Sequence, residues 1–124
     1  MTFTFDTGML IALERRRRAA WHAFRAIVRR GLVPVVPGVV YVEWWRGRSD
    51  DREEILDAVL VEGMGPALCR TAGEVLGAVR GATLADAVVM ASAALRGGGV
   101  VYTGDPDDMG RLQRHFPTVN VLVI

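Results

Sequence analysis

Thr83-Leu84-Ala85-Asp86-Ala87-Val88-Val89-Met90 runs on through Ala91-Ser92-Ala93-Ala94-Leu95, stops at Gly97-Gly98-Gly99, and resumes as Val100-Val101-Tyr102-Thr103-Gly104-Asp105. The first part is rich in alanine, lacks proline and glycine, and is apolar on nearly every side, which is the composition of a buried helix. The glycines end it and make a turn. Valine, tyrosine and threonine then favour a strand over 100–103. A buried helix feeding a short apolar strand is half of a β-α-β unit, and such a strand needs parallel partners elsewhere in the chain.

The flanking sequence supplies them. Residues 2–5 read as a first strand, 33–36 as a second that ends at Pro37, and 119–124 as a last one. Helices are expected over 7–14, 16–30, 38–45, 52–60, 66–79 and 106–115, and 47–51 reads as a loop. Within 16–30, Ala20, Trp21, Phe24, Ile27 and Val28 share one face, while Arg18, His22, Arg25 and Arg29 share another. The alternation predicts one α/β domain over 1–124, with a central, mostly parallel sheet between helix layers. No repeat, low-complexity tract or linker interrupts it.

Composition excludes several classes. A chain of 124 residues, 51% of them hydrophobic, is globular and long enough for a core of its own. Its one cysteine, Cys69, cannot form an internal disulfide, and no Cys/His cluster suggests zinc. Cys69 is expected to pack as a small hydrophobe. No leader pattern stands at the N-terminus, and no apolar run reaches the roughly 18 residues that span a bilayer. A cytoplasmic protein without membrane association is therefore expected. All fifteen basic residues are arginine. Without lysine the chain cannot be a P-loop nucleotide binder in its usual form, nor a receiver domain or haloacid-dehalogenase-like phosphatase. The net charge of +1 hides a segregation. Residues 15–30 hold seven arginines and no acid, whereas the rest sums to −6. A basic patch beside an acidic remainder suits a polyanion if cations cover the acids.

Four acids stand out by position. Asp6 follows the strand Phe3-Thr4-Phe5, at the carboxyl end where α/β sheets place ligands; it also suits a helix N-cap. Glu43 is the one charged residue in Val39-Val40-Tyr41-Val42-Glu43-Trp44-Trp45, and is read either as a buried carboxylate that needs a partner or as the wet face of a short helix. Asp86 completes a Thr83-x-x-Asp86 capping pattern, yet shares a face with Ala82, Val89 and Met90. Asp105 precedes Pro106 and suits both an N-cap and a strand-end site. A parallel sheet brings such positions to one edge. Clustered carboxylates cannot all ionise without a counter-charge, and Mg²⁺ or Mn²⁺, hard cations that take oxygen ligands, supply one.

Phe5-Asp6-Thr7 after the first strand, Glu43 after the second, Asp86 heading an alanine-rich helix, and Thr103-Gly104-Asp105 after a strand preceded by glycines occur in the order and spacing of the PIN domain. The chain resembles that family over essentially its whole length, and its compact VapC-type toxins most. The resemblance implies a three-layer α/β/α fold and a Mg²⁺- or Mn²⁺-dependent endoribonuclease, the toxin half of a toxin–antitoxin pair. Asp6, Glu43, Asp86 and Asp105 match the family's acidic quartet as catalytic and metal-binding residues. Thr103 matches its supporting hydroxyl and Asp108 a secondary acid. It implies a homodimer, an RNA substrate, and a small antitoxin whose tail covers the acidic groove. A PIN nuclease of RNA processing or DNA repair, and a non-catalytic PIN-fold interaction module, are the alternatives. Arg18, Arg25 and Arg29 form a candidate RNA phosphate rail or a solvated helix face. Trp44 and Trp45 are read as core packing or an antitoxin contact. His22 and His115 are poor catalytic candidates.

Overall fold

The computed structural model describes residues 1–47 and 52–124; the expected loop at 47–51 falls mostly outside them. In chain order the elements are β1 (Thr2–Phe5), α1 (Thr7–Glu14), α2 (Arg18–Arg29), β2 (Val35–Pro37), α3 (Gly38–Trp45), α4 (Glu53–Leu56), β3 (Leu60–Glu62), α5 (Pro66–Ala78), α6 (Leu84–Leu95), β4 (Gly99–Thr103), α7 (Pro106–Gln113) and β5 (Val119–Val123). The strands form one sheet in the order β3-β2-β1-β4-β5, and every pairing is parallel.

That order decides the layers. From β1 the chain steps outward to β2 and β3, then crosses back over β1 to β4 and continues to β5. Right-handed crossovers in opposite directions put α1 to α4 on one face and α5 to α7 on the other, the expected α/β/α sandwich. Phe5 marks the first face, its ring meeting Phe24 of α2 at 6.1 Å and Tyr102 of β4 at 5.9 Å. On α6, residues Ala87 to Ala91 are fully buried, as its composition predicts.

Local chemistry sets the ends of the elements. Thr83 caps α6, and Pro66 and Pro106 sit in the first turns of α5 and α7. Gly99, at φ +138°, leaves no room for a Cβ, which would stand 2.3 Å from the Thr2 carbonyl oxygen. The glycine turn thus sets β4 against β1. Met9, Leu10 and Leu13 of α1 are wholly buried, each contributing roughly 1.5–3 kcal/mol of apolar transfer.

Two expectations about the elements and their faces fail. The helix over 52–60 is instead the single turn α4 followed by edge strand β3, whose Leu60 N–H donates to the Pro34 carbonyl at 2.8 Å. Its side chains are largely exposed, so no hydrophobic alternation announced it. Val28, expected on the buried face of α2, is exposed, because the helix turns Ala20, Trp21, Phe24 and Ile27 to the core and leaves Val28 at the edge of that face. Trp44 belongs to the core at 2% exposure, with the Arg52 guanidinium 4.7 Å from its ring centroid; Trp45 is half-buried against Tyr41.

Candidate active site

The direction of strand succession reverses at β1, which lies between β2 and β4. Connections leave the two sides of such a point toward opposite faces and open a crevice at the carboxyl ends of the strands. Asp6 stands at the end of β1, and Asp105 follows β4 by one glycine. Asp86 on the first turn of α6 and Glu43 on α3 complete the ring. Together with Thr7, Gly8, Ile11, Arg17, Thr83, Gly104 and Asp108 they line a cleft of about 410 Å³. The four acids singled out from the sequence therefore share one opening.

Asp6 fills both roles read from its position. It is the N-cap of α1, its Oδ1 accepting from the Met9 N–H at 2.8 Å, and it faces the cleft at 4% exposure. Burial pushes its carboxyl up to about 6; hydrogen bonds from the Thr103 hydroxyl and the Met9 and Gly104 N–H groups pull the other way, and the charge of Asp86 adds to the rise. Fully buried Thr103 also accepts from the Asp105 N–H at 2.8 Å. One hydroxyl thus links the two strand-end acids.

The Asp86 N–H donates to the Thr83 hydroxyl oxygen at 3.2 Å, so threonine is the cap and the aspartate is left to face the cleft. Burial raises the Asp86 carboxyl above its usual range. The Thr83 hydrogen bond opposes this, and the nearby charges of Asp108, Asp105 and Glu43 reinforce it. Glu43 is exposed, which settles its two readings in favour of the wet face. Its Oε1 accepts from the Thr7 hydroxyl at 2.5 Å, a bond that holds α3 to the start of α1. Asp105, exposed, caps α7 through a long 3.5 Å contact with the Asp108 N–H. Asp108 is held by an ion pair with Arg111, whose other nitrogen reaches the Arg80 carbonyl at 3.3 Å.

Among the described residues no three acidic, histidine or cysteine side chains stand close enough as placed to share one ion. The donor set nonetheless fits a hard divalent cation. It is all carboxylate oxygen, and Asp6 and Asp86 are both raised in part by acids across the same cleft, a mutual repulsion that a cation relieves.

Sequence reasoning gave no site role to Arg17 or Gly8, nor to Thr7 and Gly104, which it named only as parts of motifs. A threonine beside Asp6, a glycine one residue further on and a glycine beside Asp105 were the available signals; Arg17 stands in the basic run over 15–30, but nothing local set it apart from its neighbours. The arginine stripe lies outside this cleft. Arg18, Arg25 and Arg29 are exposed on α2 and line a second, basic cleft with Arg16, Trp21 and His22. His115 is exposed beyond α7. Cys69, expected to pack, is also exposed, because α5 buries Leu68, Ala72 and Val75 and Cys69 lies off that face.

The family described as PIN domain matches residues 3–114. No curated protein sequence matches the chain. Among solved structures, one chain of VapBC2 from Rickettsia felis, bound to a DNA fragment from its promoter, superposes with a TM-score of 0.75 at 11% identity, covering 100% of this chain and 99% of that one. DNA-bound VapBC from Salmonella typhimurium gives 0.74 at 15% identity, covering 99% and 98%. A toxin–antitoxin complex from Klebsiella pneumoniae gives 0.69 at 18%, covering 95% of each chain. At these identities the likeness is one of fold.

Proposed function

Because the chain belongs to the PIN domain family, matched over residues 3–114, we propose that it is a Mg²⁺- or Mn²⁺-dependent endoribonuclease and the toxin half of a toxin–antitoxin pair. The observation that carries the reading is the convergence of Asp6, Glu43, Asp86 and Asp105 on one cleft at the switch point of the sheet. The solved complexes of similar fold support the second half, since they pair such chains with antitoxins.

Asp6, Glu43, Asp86 and Asp105 are the residues that would hold the ion, with Asp108 behind them. A bound divalent cation supplies positive charge to the phosphodiester and acidifies a water for attack. The chain's own groups do the rest. Thr103 aligns the Asp6 carboxylate while holding the Asp105 backbone, and Thr7 orients Glu43. Arg17 is the one cationic side chain that lines the cleft among the described residues, and it would meet a phosphate oxygen there. In this reading the protein works in the cytoplasm as a homodimer over residues 1–124, and an antitoxin covers the acidic cleft.

The test is cleavage of total RNA by purified, antitoxin-free protein, with Mg²⁺ or Mn²⁺ against EDTA. Cleavage should require metal and be abolished in Asp6→Asn and Asp86→Asn, whose folded spectra should match the parent. Full activity in either variant sinks the assignment. Absence of any metal binding would return the chain to a non-catalytic interaction module. Co-purification with the product of an adjacent small reading frame separates a toxin from a nuclease of RNA processing or DNA repair.

A further inference from the structure

The second cleft, about 390 Å³ along α2, carries one sign of charge: its lining is Arg16, Arg18, Trp21, His22, Arg25 and Arg29. Trp21 is its floor, with its indole N–H fixed to the Leu13 carbonyl at 2.8 Å. The guanidinium of Arg16 lies 4.7 Å, and that of Arg25 5.2 Å, from the Trp21 ring centroid. Stacking on an indole pre-organises a guanidinium and leaves its N–H fork free for a phosphate. Arg16 has a 3.4 Å contact with Glu54, whereas Arg18, Arg25 and Arg29 have no ion pair among the described residues. Like charges gathered this way repel one another until a polyanion joins them.

The two clefts meet. Arg17 lines the acidic one, and its neighbours Arg16 and Arg18 line the basic one. Consecutive Cα atoms lie about 3.8 Å apart, so the turn between α1 and α2 borders both clefts and forms their common rim. Beyond it, Arg25 and Arg29 are spaced by about 6 Å along the helix.

We propose that this cleft binds the phosphodiester backbone of single-stranded RNA, on one side of the phosphate seated among the carboxylates. The proposal rests on the nuclease reading for which bond is cut, not for the binding itself. An acidic peptide seated here would run into the carboxylates across the rim. An RNA strand whose scissile phosphate is neutralised there crosses it.

The experiment is equilibrium binding of fluorescent single-stranded oligoribonucleotides to the Asp6→Asn protein, across a salt series, with and without Arg25→Glu and Arg29→Glu. The double substitution should weaken binding at least tenfold. It should also flatten the slope of log K against log salt by about 1.4, from two lost phosphate contacts at about 0.7 each on a single strand. Arg25→Gln with Arg29→Gln should produce an intermediate loss. Single-stranded DNA of the same sequence should lose affinity on the same substitutions, since the contact is to phosphate. Unchanged affinity and slope would overturn the assignment. So would unchanged RNA binding with lost binding of a poly-glutamate peptide, which would make the cleft a site for an acidic protein. Cleavage by the parent protein is read separately. Arginine-dependent binding without metal-dependent cleavage keeps the cleft and removes the nuclease; cleavage with arginine-independent binding does the reverse.

Discussion

Gly8 and Gly104 lie backbone against backbone: a Cβ on Gly8 would stand 2.7 Å from the Gly104 amide nitrogen and 2.8 Å from its Cα. The first turn of α1 therefore rides on the loop after β4, and this contact keeps Asp6 and Asp105 at one opening. Gly8→Ala must move one backbone off the other. It should cost about 1–3 kcal/mol of stability, the usual penalty of overpacking, and lower RNA cleavage by more than tenfold. Gly110→Ala is the contrast. Gly110 sits within α7, and a methyl group there would meet nothing within 4 Å. It should stabilise by about 0.5–1 kcal/mol without reducing cleavage. Thermal denaturation and a cleavage assay on both variants separate the two outcomes.

Asp6 should govern how stability depends on pH. Its carboxyl is raised to about 6 in the folded chain, from an ordinary value of 3.8. The stability it contributes is complete below about pH 4 and is lost as pH rises through about 6. Metal-free protein at pH 7 thus carries an ionised, buried Asp6. Asp6→Asn, which retains a capping oxygen for the Met9 N–H, should remove that cost and stabilise the metal-free protein at pH 7 by on the order of 2–3 kcal/mol. Mn²⁺ should stabilise the parent more at pH 7 than at pH 5, because metal and proton compete for the same oxygens, and should do little for the variant. Melting curves across pH 5–8, with and without Mn²⁺, check this; equal stabilisation of both proteins by metal would show that Asp6 is not a ligand.

Thr103→Val keeps shape and removes the hydroxyl that serves both strand-end acids. The Asp6 carboxyl loses a donor and should titrate higher still, and the Asp105 N–H loses its acceptor. A loss of about 1–3 kcal/mol is expected for buried polar groups left without a partner, with a larger effect on cleavage than on melting. Thr103→Ser should restore most of the activity.

Arg111 neutralises Asp108 and anchors the Arg80 carbonyl at the start of the loop that leads to Thr83 and Asp86. The pair is partly exposed, so Arg111→Ala should change stability by no more than about 1 kcal/mol. Its electrostatic effect should be clearer. Freeing the Asp108 charge makes the cleft more negative, so half-activation should need less Mg²⁺ while KM for RNA rises. Titrations of metal and substrate against initial rate would read both shifts, and a change in kcat alone would argue against this role.

Much of the site was legible because its acids are placed by local rules. Asp6 and Asp105 follow apolar strands and cap helices, and Asp86 follows a threonine cap; each signature lies within about four residues. Glu43 was recognised as unusual, but whether it was buried or wet depended on how α3 packs, and Thr7, its partner, lies 36 positions away in sequence. Strand β3 escaped because an exposed edge strand of three residues carries no alternation, and short apolar runs do not distinguish strand from helix.

The alternation of strands and helices, the glycine turn before β4, the capping residues and the arginine-rich face of α2 are all local properties, because each follows from the conformational preferences and hydrophobic period of neighbouring residues. That β1 lies between β2 and β4, that Gly8 meets Gly104, and that Arg17 lines the acidic cleft while Arg16 and Arg18 line the basic one emerge from the folded chain as a whole. Those relations come from burying two helix layers on one sheet, a requirement on the whole chain that no local stretch encodes.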